Sequence, residues 1–203
     1  MALPTAAPER QLKHRRSIDV QIYSRGNGLW EVDALLRDVK TRDVPLGPGM
    51  RRAGEPIHDM LLRIVVDQRF NVVEAGARTD AMPYPGHCQD YGDAYAGLVG
   101  LNLLKGFRAA VNQRLGGVLG CTHITELTWV LPTAVVQAFA GEGLLESGDR
   151  SGAPARPFPI DRCHALRASG PAVQTFYPRW YRAAAAPSHS AIPCSQTRAS
   201  ETS

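Results

Sequence analysis

Three short stretches of this chain bring metal-ligating and proton-carrying side chains together: His58-Asp59, His87-Cys88, and Cys121-Thr122-His123-Ile124-Thr125-Glu126. Thiolate, imidazole and carboxylate are the ligands of zinc and iron. The third stretch follows Leu115-Gly116-Gly117 and reads as a helix start. A thiol at a helix N-terminus gains from its partial positive charge, so Cys121 is expected to be more acidic than a free cysteine. Glu126 falls one turn beyond His123, on the same helical face. Cys163-His164 is a weaker pair, and Cys194 is set aside. Each residue also has a plain structural use: cysteine packs in cores, and glutamate suits the first turn of a helix. The spacing is not the paired Cys-x-x-Cys of a zinc ribbon.

Other chemistries have less support. The chain has no G-x-S-x-G, no P-loop and no G-x-G-x-x-G. A Cys121–His123 nucleophilic dyad is conceivable, but such dyads are normally assembled from separate elements, and these two residues share one turn.

Strands must come first if these groups are to meet. Ile18, Val20 and Ile22 alternate with polar residues, Arg25-Gly26-Asn27-Gly28 turns, and Trp30 and Val32 resume the alternation. Residues 41–56 hold turn formers and read as loop. Met60, Leu62, Ile64 and Val66 share one face of a second hairpin, which turns at Asp67-Gln68-Arg69 and returns from Phe70 to Ala77. PYPGHCQDYGD is loop. Leu104, Phe107, Val111 and Leu115 then mark a helix that Gly116-Gly117 ends. A last helix runs from Thr122 through Ile124, Leu127, Leu131, Val135 and Ala138, kinked at Pro132 and stopped by Gly141 and Gly143. Residues 147–157 read as a linker, and 158–181 as one more strand pair. The order predicts an α+β domain, an antiparallel sheet of hairpins followed by helices packed on one face. Its expected bounds are a disordered lead at 1–12, one domain at 13–182 and a disordered tail at 183–203.

That topology bears on the site. Cys88 follows the returning strand, which ends where the outgoing strand began, near His58. A last helix with its N-terminus at the same sheet end brings in Cys121 and His123. The expected ligands are therefore His58, Cys88, Cys121 and His123. Asp59 and Glu126 would orient them or move protons.

Composition limits the function classes. The 203 residues, 44% hydrophobic and 21% charged, are ordinary for a globular chain. No apolar run spans a bilayer and the N-terminus lacks a signal-type apolar core, so no membrane role is expected. Four cysteines over a long span suggest a reducing cytoplasm rather than a disulfide framework. The net charge of +4 is modest, with basic residues partly in the first sixteen positions. No long basic stripe interleaved with aromatics stands out, so nucleic acid is not expected as a partner.

The stretches GEPIHDMLLRIVVD, PYPGHC, GFRAAVNQRLGGVLGCTHITEL and PFPIDRCHALRASGPAVQTFYPRWY resemble a bacterial family classed as a domain of unknown function, over about Leu12 to Arg182. More distantly, the order of parts is similar to that of the U-type iron–sulfur cluster assembly scaffolds. Cys88 and Cys121 fall where their second and third cysteines stand, and LTWVLPTAVVQAF resembles their closing helix. No cysteine precedes Asp59, where their first one lies; His58 stands nearest. Thr122-His123 follows the third cysteine, where theirs is preceded by histidine. The resemblance implies a scaffold-like fold and a carrier of zinc, iron or an iron–sulfur cluster that hands its cargo to an acceptor protein. The alternatives are a metal-dependent hydrolase or lyase acting on a small molecule, and a structural zinc domain.

Overall fold

The computed structural model describes residues 3–88, 93–140, 142 and 155–183. The chain divides into two compact units, Met1–Leu144 and Leu145–Ser203. The first carries strands β1 (His14–Ser24), β2 (Leu29–Lys40), β3 (Val44–Leu46), β4 (Gly49–Arg51), β5 (Pro56–Asp67) and β6 (Val72–Ala81). β1, β2, β5 and β6 form one antiparallel sheet in that spatial order, and β3 and β4 form a separate ribbon. Helices α1 (Phe107–Leu115), α2 (Thr122–Thr128) and α3 (Leu131–Ala140) follow. This is the expected α+β order of hairpins, then helices.

Turn chemistry fixes the hairpins. Gly26 and Gly28 take φ of 78° and 80° between β1 and β2, a conformation that costs glycine little. Between β5 and β6 the Asp67 carboxylate accepts the backbone N–H groups of Arg69 and Asn71, both at 2.8 Å, and the Asn71 side-chain amide at 2.9 Å. The expected loop at 41–56 contains the short ribbon, where Pro45 and Met50 face each other across Gly47-Pro48.

Alternation along the central strands sorts the two faces. Val32, Ala34 and Leu36 of β2 and Met60, Leu62 and Ile64 of β5 are buried on one face. α2 packs on β2 and β5, and α3 on β1 and β2. Leu127, Leu131, Val135 and Phe139 are fully buried, and the Phe139 ring lies 5.0 Å from Trp30 and 4.9 Å from Phe70 between centroids. Burying a side chain of this size stabilises by roughly 1.5–3 kcal/mol. The opposite face carries charge pairs, Asp33 with Arg63 and Arg37 with Asp59.

The expected single last helix is two helices. α2 ends at Thr128, and Pro132 sits in the first turn of α3, where its missing N–H has no intrahelical partner to lose. Gly141 and Gly143, the expected stop, lie outside the described residues, as do 147–154 of the linker and 184–203 of the tail.

In the second unit the expected strand pair at 158–181 does not form. Pro157, Pro159, Pro171 and Pro178 each lack the amide that a ladder needs, and the segment folds as turns around a short helix, α4 (Pro171–Phe176). Ile160, Ala168 and Val173 form its core, with Leu166, Tyr177, Trp180 and Tyr181 packed against them. Among the described residues no helix is long and apolar enough to cross a membrane.

Candidate metal centre

Two positions along the helix-facing rows break the apolar pattern. Asp38 follows Leu36 by two residues on β2, and His58 precedes Met60 by two on β5, so both face the helices. They are register partners across the β2–β5 pairing, as Arg16 and Asp38 are across β1–β2. One row therefore runs Arg16–Asp38–His58 across three strands. Asp38 is 2% exposed, and a carboxylate so deeply buried needs partners for its charge.

It has them. Arg16 grips it with two hydrogen bonds, Nε to Oδ1 at 2.8 Å and a terminal nitrogen to Oδ2 at 2.7 Å. His58 Nδ1 lies 2.9 Å from Oδ2, and His14 Nε2 lies 3.1 Å from Oδ1. Burial works against the Asp38 charge, but the hydrogen bonds from Arg16 and His58 outweigh it and lower the carboxyl pKa to about 2. The other terminal nitrogen of Arg16 reaches the Glu126 carboxylate, so one guanidinium joins the sheet to α2.

α2 supplies His123. Its ring stacks on that of His58 with centroids 3.7 Å apart and planes 32° apart, and its Nε2 lies 4.0 Å from Asp38 Oδ2. Burial, then electrostatic interaction with His58 and Arg16, lowers the His123 pKa, although Asp38 and Glu126 pull the other way. A neutral imidazole is the form that binds metals. The segment before α2 fixes this placement. The Tyr95 hydroxyl, fully buried, donates to the Cys121 carbonyl at 2.8 Å, accepts from the Cys121 N–H at 3.0 Å and meets Thr125 Oγ1 at 2.8 Å. Gly120 is required beside it: a Cβ there would lie 2.7 Å from the Leu115 carbonyl oxygen and 3.2 Å from the Tyr95 hydroxyl. The glycine-rich lead into GCTHITEL is thus a close-packing device.

The ligand atoms of Asp38, His58 and His123 all lie within 4.8 Å of one another, and this is the one such group among the described residues. Two of the four expected ligands, His58 and His123, are in it. Cys121 is adjacent, with Sγ 3.9 Å from His123 Nδ1, but it is the residue before α2 and not a member. Cys88 lies in the turn after β6, its N–H donating to Tyr84 O at 3.2 Å, and is also outside the group. Of the two expected proton-handling groups, Glu126 is at the edge of the site, held by Arg16. Asp59 faces the other side of β5, where it accepts Arg37 Nε at 3.0 Å. Asp38, Arg16 and His14 were not anticipated. The signal for Asp38 was in the sequence: a carboxylate on the face of β2 that begins Val32, Ala34, Leu36.

The geometry is close to what one ion needs. Ligand atoms about 2.1 Å from a tetrahedral ion are about 3.4 Å apart, against 2.9 Å for His58–Asp38 and 4.0 Å for His123–Asp38. The stacked rings must fan apart for both lone pairs to converge, and the His58–Asp38 hydrogen bond must give way to the ion.

No curated protein matches the chain, and no solved structure does. A family match covers residues 14–137, a span that begins at His14 and takes in every residue around Asp38. The chain belongs to the family described as Protein of unknown function (DUF2889).

Proposed function

We propose that the chain holds one divalent metal ion, zinc or iron(II), on Asp38, His58 and His123, and uses it as an enzyme acting on a small molecule. The observation that carries the proposal is the convergence of three ligand atoms from three separate elements, β2, β5 and α2. Two imidazoles and one carboxylate suit zinc or non-haem iron and leave coordination positions for water or substrate. An ion in such a site activates bound water or polarises a carbonyl, the chemistry of a hydrolase or lyase. Arg16 would orient the carboxylate ligand, and Glu126 would take or give a proton at the edge of the site. An open recess of about 310 Å³ beside α2, lined by Glu126, Thr122, Thr125, Trp129 and Asn112, shares Glu126 with the edge of the site, although none of the three ligands lines it.

One observation favours a second reading, carriage of a metal or an iron–sulfur cluster. The Cys121 thiol is 3.9 Å from His123 Nδ1, next to one of the three ligand residues. The donors that converge are nitrogen and oxygen, however, and clusters are held chiefly by thiolates. Metal analysis of gently purified protein separates the readings. The enzyme reading expects about one zinc or iron per chain, lost in His58→Ala and in His123→Ala and kept in Cys121→Ser. Retention of metal in both histidine variants would refute the site. Glu126→Gln is expected to keep the metal while turnover drops by roughly 100-fold, the usual scale of a general base; loss of transfer to an acceptor in Cys121→Ser would favour the carrier.

A further inference from the structure

The net charge of the chain is unevenly placed. Residues 155–183 hold five arginines, Arg156, Arg162, Arg167, Arg179 and Arg182, against one acid, Asp161. That surplus of four equals the formal net charge of all 203 residues, so the remainder of the chain is neutral in sum. All five arginines are exposed. Asp161 is already engaged, accepting a hydrogen bond from Arg156 and one at 2.6 Å from the Ala168 N–H. A compact body of this length has a radius of gyration of about 8 Å, close to the Debye length at physiological ionic strength. Its charges therefore act together on a ligand.

The apolar groups beside these cations are planar rings. Phe176, on α4, is 74% exposed and is the one large hydrophobic side chain exposed in this segment. The Arg162 guanidinium rests 4.9 Å from the Phe158 ring centroid, and that of Arg179 lies 5.6 Å from Trp180. Each pair puts a phosphate-binding group next to a flat π-surface, the combination by which unpaired nucleic acid is held. An anionic membrane would also attract the arginines, but no large aliphatic side chain is exposed in this segment to enter the acyl region.

We propose that residues 155–183 are a docking surface for single-stranded nucleic acid, with the arginines on its phosphates and Phe176 stacking on its bases. The surface lies beyond the family match at 14–137 and does not depend on the metal site.

The test uses the full chain and fluorescence anisotropy with a labelled oligothymidylate of about 20 nucleotides, an abasic oligomer of equal length, and phosphatidylserine vesicles. The expected result is at least tenfold tighter binding to oligothymidylate than to the abasic strand, with log affinity falling linearly in log salt. The triple variant Arg162→Ala, Arg167→Ala, Arg179→Ala should flatten that slope by about two, at roughly 0.7 per phosphate contact. Phe176→Ala should weaken oligothymidylate binding at least fivefold and leave the slope and abasic binding unchanged, a result that simple loss of folding cannot produce. Equal affinity for the two strands, binding to the vesicles alone, or no binding at low salt would each overturn the proposal.

Discussion

Asp38→Asn in metal-free protein is expected to cost roughly 2–3 kcal/mol of stability at neutral pH. Asparagine keeps the volume but turns one acceptor oxygen into a donor that faces Arg16, His14 or His58. The magnitude follows from linkage. Despite burial, the hydrogen bonds from Arg16 and His58 lower the carboxyl pKa to about 2. Against an unfolded value of about 3.9, with 1.36 kcal/mol for each pH unit, the native state gains roughly 2–3 kcal/mol once the group is ionised in both states. Because the folded pKa is the lower one, this stability is present in full above the unfolded pKa. It is lost as pH falls through the folded one, and about half of it remains at pH 3. Asparagine does not titrate, so the gap between parent and variant should narrow on acidification. Urea unfolding of EDTA-treated protein at pH 7 and pH 3 measures it. A gap below about 0.5 kcal/mol at pH 7, or one of equal size at pH 3, would refute the reasoning that the Asp38 charge is what the network stabilises.

Tyr95→Phe removes the hydroxyl that joins Cys121 and Thr125. It should cost about 1–3 kcal/mol in urea unfolding and, by loosening the start of α2, weaken zinc binding roughly tenfold in a competition titration. Asp67→Ala removes the acceptor that closes the β5–β6 turn and should cost about 1–2 kcal/mol at pH 7. Burial opposes the Asp67 charge but the Asn71 and Arg69 hydrogen bonds prevail, so its pKa lies below the usual range; the parent should therefore lose its advantage in unfolding experiments as the pH falls through that value.

How much of this was legible in the sequence depended on the range of the interaction. The hairpins were readable because alternation and turn residues are local: Ile18 to Val32 with Gly26-Asn27-Gly28, and Met60 to Val66 with Asp67. The break between α2 and α3 was misread because Pro132 was taken as interior to a helix, whereas one position after Leu131 it begins one. The strand pair expected at 158–181 does not form because its prolines deny the ladder its donors. For the site, His58 and His123 were found because unusual residue types stood in short clusters. Asp38 and Arg16 are far apart in sequence, Arg16 within a basic run, and they meet only through the pairing of β1, β2 and β5. Asp59 was included for its adjacency to His58, yet neighbours on a strand face opposite ways. The basic, aromatic segment escaped notice because charge was summed over the whole chain, where equal acids and bases elsewhere dilute it.

In the proposed site, nitrogen and oxygen atoms of Asp38, His58 and His123, not cysteine thiolates, hold the ion. X-ray absorption fine structure on the zinc-loaded full-length protein tests it most directly. The expected result is a first shell of nitrogen and oxygen at about 2.0–2.1 Å, with imidazole scattering that is lost in His58→Ala and unchanged in Cys121→Ser. A sulfur shell at about 2.3 Å that disappears in Cys121→Ser would contradict it.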